Sequence, residues 1–159
     1  MSSPLPPEFS LTEAATGLGS VCNEILRSVP EWFGIEESIV EYVEAIEKMS
    51  TILAMHGDQA IGFMTLERHA PKSGELHVLA IRPEWHRRGV GAALLAATES
   101  YAQSVGVRYL QVKTLSSRRE CEHYAKTRLW YEAMGFEVLT EFPTLWGEDL
   151  PCLQLIKVL

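Results

Sequence analysis

The sequence predicts an α/β (α+β) fold of packed layers built on a mixed sheet. Apolar residues recur at helical spacing in about four stretches and at strand spacing in about six, and the two kinds interleave along the chain. The size fits: 159 residues, 47% hydrophobic and 22% charged, are typical of one soluble domain with a sizeable core. We therefore expect a single domain over 1–159, with 1–10 a loosely ordered N-terminus.

The elements run in order along the chain. Thr16 to Val29 predicts a first helix, and Pro30-Glu-Trp-Phe-Gly34 a loop. Ser38 with Glu41 reads as a capping box, and Ile39, Tyr42, Val43, Ile46 and Met49 keep helical spacing, so a second helix is expected from Ser38 to Lys48. Thr51 to Met55 and Ala60 to Leu66 are strand-like runs around a tight turn at Gly57-Asp58. Glu75 to Ile81 is another strand, ended by Pro83. From Gly89, the residues Val90, Leu94, Ala97, Tyr101 and Val105 trace one helical face that Gly106 stops. Leu110 and Val112 alternate with Gln111 and Lys113 as a strand, and a helix follows from about Cys121 to Met134, closed by Gly135. Phe136 to Phe142 and Cys152 to Val158 are the last strands, joined by a loop holding Pro143, Trp146, Gly147 and Pro151.

Composition excludes several classes. The net charge of −7 comes without a basic stripe, which argues against a nucleic-acid partner. No apolar run approaches membrane-spanning length and the start lacks a signal-peptide pattern, so no membrane partner and a cytoplasmic location are expected. Cys22, Cys121 and Cys152 are scattered and odd in number, which gives no disulfide framework. Cys121-Glu-His123 is half a zinc site without a second half, so no metal is expected.

Against this acidic background one segment stands out. Leu76 to Ile81 runs into Pro83, then His86-Arg-Arg-Gly-Val-Gly91, then an alanine-leucine helix. Two arginines thus sit beside the N–H groups and positive dipole end of a helix, a place built for phosphate. A Walker-type loop would need Gly-Lys-Ser/Thr where Gly91-Ala-Ala93 stands. A dinucleotide fingerprint would need a third glycine where Leu94 stands.

The segment instead resembles the signature of the GNAT superfamily, the acetyl-CoA-dependent N-acetyltransferases: Gln/Arg-x-x-Gly-x-Gly/Ala after a strand and a proline-containing loop. His86 departs from the first position; the glycines match. A second element agrees. Trp130-Tyr-Glu-Ala-Met-Gly-Phe136 is similar to the aromatic-Tyr-x-x-x-Gly-Phe run of that superfamily, and the likeness spans roughly Ile52 to Val158. It implies a mostly antiparallel mixed sheet of about six to seven strands flanked by about four helices. It also implies acetyl-CoA as cosubstrate and an amine as acceptor. The pyrophosphate would lie on the N–H groups of Arg87, Arg88, Gly89, Val90, Gly91 and Ala92. The pantetheine arm would run along Leu79, Ala80 and Ile81, where the sheet splays and leaves backbone groups unpaired.

Catalytic expectations come by the same route. Tyr131 matches the tyrosine that protonates the departing sulfur. Tyr124, Thr127, Tyr131 and Met134 share one helical face toward the cofactor, with Ala125, Leu129 and Ala133 as the adjoining core stripe. Tyr124 stands where an asparagine commonly bonds the cofactor arm. Glu75 matches a glutamate that removes the amine proton in histone-type members, and His77 is a competing base; strand alternation puts Glu75, His77 and Leu79 on one face. The acceptor is expected between the early helices and the late hairpin: Trp32, Phe33, Glu36 and Glu37 on one side, with Trp146, Glu148 and Asp149 on the other. Aromatics flanked by carboxylates suit an organic cation. A homodimer is expected by family analogy alone. Two other readings stay open: a non-catalytic acyl-CoA-binding sensor, and an interaction module that uses this fold for dimerisation.

Overall fold

A computed structural model describes residues 8–159. The expected loose segment 1–10 lies mostly outside them, and its last residue enters a strand instead. Seven strands form one sheet in the order β1-β2-β3-β4-β5-β7-β6: β1 Ser10–Leu11, β2 Ser50–His56, β3 Gln59–Ala70, β4 Ser73–Ile81, β5 Tyr109–Leu115, β6 Glu137–Phe142 and β7 Cys152–Val158. All neighbours run antiparallel except β4 and β5. Four helices, α1 Gly19–Arg27, α2 Glu36–Lys48, α3 Val90–Ser104 and α4 Glu122–Ala133, cover it.

Two buried clusters lie on the sheet. Cys22, Ile25 and Leu26 of α1 and Ile39 and Ile46 of α2 pack on Leu53, Phe63, Val78 and Ala80. Leu94, Leu95 and Ala102 of α3, with Tyr131 of α4, join Ile52, Ile61, Met64, Leu76 and Leu110 in the other cluster. Among the described residues no helix is long and apolar enough to cross a membrane.

Several expected boundaries shift for local reasons. The first helix starts at Gly19, not Thr16, because Ala15 still exchanges backbone hydrogen bonds with Thr51 (3.0 and 2.8 Å) and Gly17 turns with φ 76°. Its free N-terminus is capped from afar: Gly19 N–H donates to Glu47 Oε1 at 2.7 Å. The second helix starts at Glu36, so the Ser38–Glu41 capping box does not form; Ile35 is the cap residue and makes no side-chain cap bond. Glu36 instead sits in the first turn, favourable to the helix dipole, and accepts two bonds from Arg27 at 2.8 and 2.7 Å.

The core stripe expected on α4 is also corrected. Leu129 is 66% exposed and Ala133 is exposed, while Tyr131 is the buried residue of this helix. The helix is rolled so that Trp130 and Tyr131 pack inward, Tyr131 edge-on to Phe136 with ring centres 5.5 Å apart. Arg128 fixes this roll by donating to the Leu115 carbonyl at 2.7 Å.

Candidate active site

The parallel strands β4 and β5 pair only from Ser73↔Tyr109 to Leu76↔Val112. Beyond Leu76 they part, and a fork opens in the sheet. Arg82 N–H donates to the Ile61 carbonyl at 2.8 Å, which sets the rung of the β3–β4 ladder there. Alternation along that ladder turns the backbone groups of Ala80 toward β3 and those of Leu79 and Ile81 toward the fork. Leu79 and Ile81 thus face the fork with their backbone, whereas the backbone of Ala80 bonds β3 and its side chain is buried in the cluster under α1 and α2.

At the end of β4 the chain makes a 3-10 turn over Pro83–Trp85 and reaches the glycine turn. Gly89 caps α3 in the left-handed region (φ 82°), and Arg87, the one non-glycine residue with positive φ among those described, has φ 58°. Such successive turns aim backbone N–H groups at a common point. The cap makes no side-chain bond and the first turn of α3 carries no acid, so the N–H groups of Val90, Gly91 and Ala92 are left for a ligand. A Cβ placed on Gly89 would meet nothing within 4 Å, whereas one on Gly91 would meet Trp130 at 3.2 Å and the Ile81 side chain at 3.3 Å. Gly89 borders open space; Gly91 lets α3, β4 and α4 close on one another.

The two arginines differ. Arg87 is exposed and makes no ion pair with a described residue. Arg88 is engaged: its guanidinium lies 4.1 Å over the Trp85 ring and pairs with Glu8. His86, the departure from the signature, has Nε2 2.7 Å from the Ile81 carbonyl and so closes one of the groups facing the fork.

The α4 side of the fork is aromatic. Tyr131 is 4% exposed, and its phenol is pushed above the ordinary tyrosine range by burial, with the neighbouring Tyr124 and Tyr42 hydroxyls adding to it. It therefore stays protonated throughout the neutral range. Tyr124 is pushed up to about 12, first by burial, then by Tyr42 and Cys121. Its hydroxyl donates to the Trp32 carbonyl at 2.9 Å, and Trp32 Nε1 donates to Thr127 Oγ1 at 3.1 Å. The Trp32 ring also stands edge-on to His86 (5.8 Å) and His123 (4.8 Å), which clasps the α1–α2 loop to α4 across the fork. Phe33 packs on Tyr42 at 5.7 Å and Tyr42 on His77 at 5.6 Å. Trp146, by contrast, is exposed in the β6–β7 loop and is not brought into this group.

Glu75 and His77 are rearranged by a feature the alternation pattern conceals. Thr65 pairs with Val78 but Leu66 with Leu76, so His77 is the extra residue of a β-bulge. The bulge inverts the facing of the residues after it. Glu75 and His77 remain together, but Leu79 belongs to the opposite side, packed with the α3 cluster. Glu75 is 6% exposed and shares Oε1 between His69 Nε2 (2.8 Å) and Lys113 Nζ (2.9 Å). Glu67 lies 3.7 Å from His69 Nε2 and 3.3 Å from His77 Nδ1. The result is an alternating chain, His77–Glu67–His69–Glu75–Lys113, across three strands. Ligand atoms of Glu67, His69 and Glu75 fall within 4.8 Å of one another, a grouping not expected from the sequence, and Lys113 already supplies positive charge to it.

Tyr42, Glu67, His69 and Lys113 were not expected in the site. A regular hairpin with its tip at residues 71–72 would set Glu67 against Leu76; a second register shift between Arg68 and Ala70 brings Glu67 opposite Glu75 instead, and local pattern does not reveal it.

Comparison with known proteins agrees with this geometry. The acetyltransferase (GNAT) domain family matches residues 47–138, which include the glycine turn, the fork and Tyr131. No curated protein matches in sequence. Among solved structures, the fold is similar to a GNAT-family acetyltransferase of Desulfovibrio desulfuricans (TM-score 0.81, 17% identity, 94% of this chain and 98% of that one). It is similar to an Elizabethkingia anophelis GNAT acetyltransferase with acetyl-CoA bound (TM-score 0.75, 15% identity, 97% and 100%). It is also similar to the aminoglycoside 6'-N-acetyltransferase of Enterococcus faecium (TM-score 0.71, 21% identity, 94% and 96%). With the family match running through the turn, the forked sheet and the tyrosine helix alike, the chain belongs to the GNAT family of acetyltransferases.

Proposed function

We propose that the protein transfers the acetyl group of acetyl-CoA to a primary amine by direct attack within a ternary complex. The observation that carries this reading is the pairing of the left-handed Arg87–Gly89 turn with the unpaired Leu79–Ile81 edge of the fork. The diphosphate lies on the N–H groups opening α3, beside Arg87. The pantetheine arm bonds the free groups of Leu79 and the Ile81 N–H as an added strand, the Ile81 carbonyl being held by His86, which brings the thioester to the fork beneath Tyr131. The Elizabethkingia anophelis structure with acetyl-CoA bound supports the same ligand.

The chemistry balances as ammonium plus thioester giving amide, thiol and one proton. Two protons leave the nitrogen. A base beside the β4 bulge, where Glu75 and His77 sit, takes the first so that the lone pair can attack the carbonyl carbon. The C–S bond then breaks, and Tyr131 supplies the proton to sulfur, restored from the second proton of the nitrogen or from water. Trp32, Phe33 and Tyr42 offer aromatic faces to an organic cation at the mouth. Cys22 and Cys152 are buried, and burial pushes the Cys22 thiol up to about 12 and the Cys152 thiol to about 11. Neither is a thiolate suited to carry an acyl group.

The test is calorimetric titration with acetyl-CoA, followed by thiol release with tyramine, spermidine, kanamycin and a peptide with a free N-terminus. Saturable binding with release on at least one amine is expected. Binding without release on any of them favours a sensor, and absence of binding ends the reading.

A further inference from the structure

We infer that His77 is the base that receives the amine proton and that Glu67 is its positioning residue, an inference that rests on the acetyl-transfer reading above. The β4 bulge lifts His77 out of regular alternation and directs it at β3, where Nδ1 lies 3.3 Å from Glu67 Oε2. The contact is an ion pair rather than a hydrogen bond, and a carboxylate facing Nδ1 favours the proton on that nitrogen, which leaves the Nε2 lone pair for the incoming nitrogen. The ring is a quarter exposed and stands edge-on to Tyr42, at the aromatic mouth of the fork.

Glu75 is differently placed. It is nearly enclosed and already shared by His69 and Lys113, so its carboxylate holds the network together. The charged and titratable groups around His77 are Glu67 and His69 on β3, Glu75 on β4, Lys113 on β5 and Tyr42 on α2. Among them Glu67 alone touches the imidazole with an ionisable oxygen. His69, whose side chain is 36% exposed, lies beyond it at 3.7 Å from Glu67 and is bonded to Glu75.

Two measurements test the pair, one independent of turnover. Long-range 15N NMR of the free protein should show His77 as the Nδ1–H tautomer. Glu67→Ala should release it toward the commoner Nε2–H form, and Glu67→Gln, which keeps an acceptor, should retain the tautomer. With the fastest amine of the panel above, His77→Gln should lower kcat/KM about 10²-fold and remove the acid limb of its pH profile. Glu67→Ala should lower kcat without changing the KM for acetyl-CoA, and Glu67→Gln and Glu67→Asp should restore it in part. The pair is overturned if His77→Gln keeps the wild-type kcat/KM and limb, or if Glu67→Ala leaves both tautomer and kcat unchanged. A wild-type protein that releases thiol with none of the amines would instead sink the functional reading, and the NMR result would still decide whether Glu67 orients His77.

Discussion

Glu75 and Lys113 join the two strands of the fork where they part: Lys113 Nζ lies 2.9 Å from Glu75 Oε1, one residue beyond the last β4–β5 rung at Leu76↔Val112. The carboxylate is 6% exposed, so its charge depends on this ammonium and on His69. Removing one partner of a buried pair costs about 3–5 kcal/mol; with His69 remaining and Lys113 partly solvated, Lys113→Met should cost about 2 kcal/mol. Adding Glu75→Gln to that variant should recover part of the loss. Urea denaturation of both single variants and the double variant checks this, and a double-variant loss equal to the sum of the single losses would mean that the pair contributes no stability.

The glycine turn gives two separable effects. At Gly89 a Cβ has open space but φ is 82°, so Gly89→Ala should cost about 1 kcal/mol of backbone strain while blocking the approach of a phosphate. At Gly91 the backbone is helical and a Cβ would press on Trp130 at 3.2 Å. Gly91→Val should therefore lower the melting temperature more than Gly89→Ala, whereas Gly89→Ala should lose more acetyl-CoA affinity for each degree of melting lost. Thermal melts paired with calorimetry distinguish the two, and the same ranking on both measurements would refute the division.

These contrasts explain what was legible in the sequence. The strand Cys152–Val158 and the helix opening after Gly89 follow from local pattern, and both stand where expected. The bulge at His77 left no trace, because Leu76 and Val78 through Ile81 are all apolar and any register satisfies both clusters. The Ser38–Glu41 box matched its local rule, but Glu36 gains Arg27 and the helix begins earlier. Leu129 read as core by spacing; the Arg128–Leu115 bond, a contact between distant elements, turns it outward. Where tertiary partners compete with a local rule, the pattern alone does not contain the outcome.

Glu8 occupies a cation that a phosphate would use. It pairs with Arg88 at the edge of the turn while Phe9 stands edge-on to Trp85 at 6.3 Å. Freeing Arg88 by Glu8→Gln should tighten acetyl-CoA binding about threefold at low salt, in line with the modest worth of exposed pairs, and the gain should vanish at high salt. Calorimetry at two ionic strengths measures it. Weaker binding at low salt would show that Glu8 orients Arg88 for the ligand rather than competing with it.

Buried thiols and phenols set the alkaline limit of stability, Cys22 and Tyr124 among them. Cys22 is pushed up to about 12, chiefly by burial and then by Glu47, and Tyr124 to about 12, chiefly by burial. Both titrate at lower pH in the unfolded chain, near their ordinary values of about 8.5 and 10. Raised folded values mean that the unfolded state loses its protons first, so stability is whole below pH ~8.5 and falls as pH rises toward 12. The melting temperature should decline first through the thiol range. In Tyr124→Phe the decline above pH ~10 should be shallower, and an unchanged slope would exclude Tyr124 as a contributor.

Tyr131 unites burial with function. Its phenol is held above the ordinary range by burial and by Tyr124 and Tyr42, so no working pH ionises it and the transfer rate should show no basic limb from this group. The ring packs between Trp130 and Phe136, which Tyr131→Phe preserves. That substitution removes only the O–H proposed to protonate sulfur. Thiol release should fall about 10²-fold, within the usual range for a lost general acid, while acetyl-CoA affinity stays within about twofold. A thiol-trapping assay beside calorimetry reads both quantities. Turnover equal to wild type would take Tyr131 out of the chemistry, whereas a parallel loss of affinity would assign it to cofactor binding.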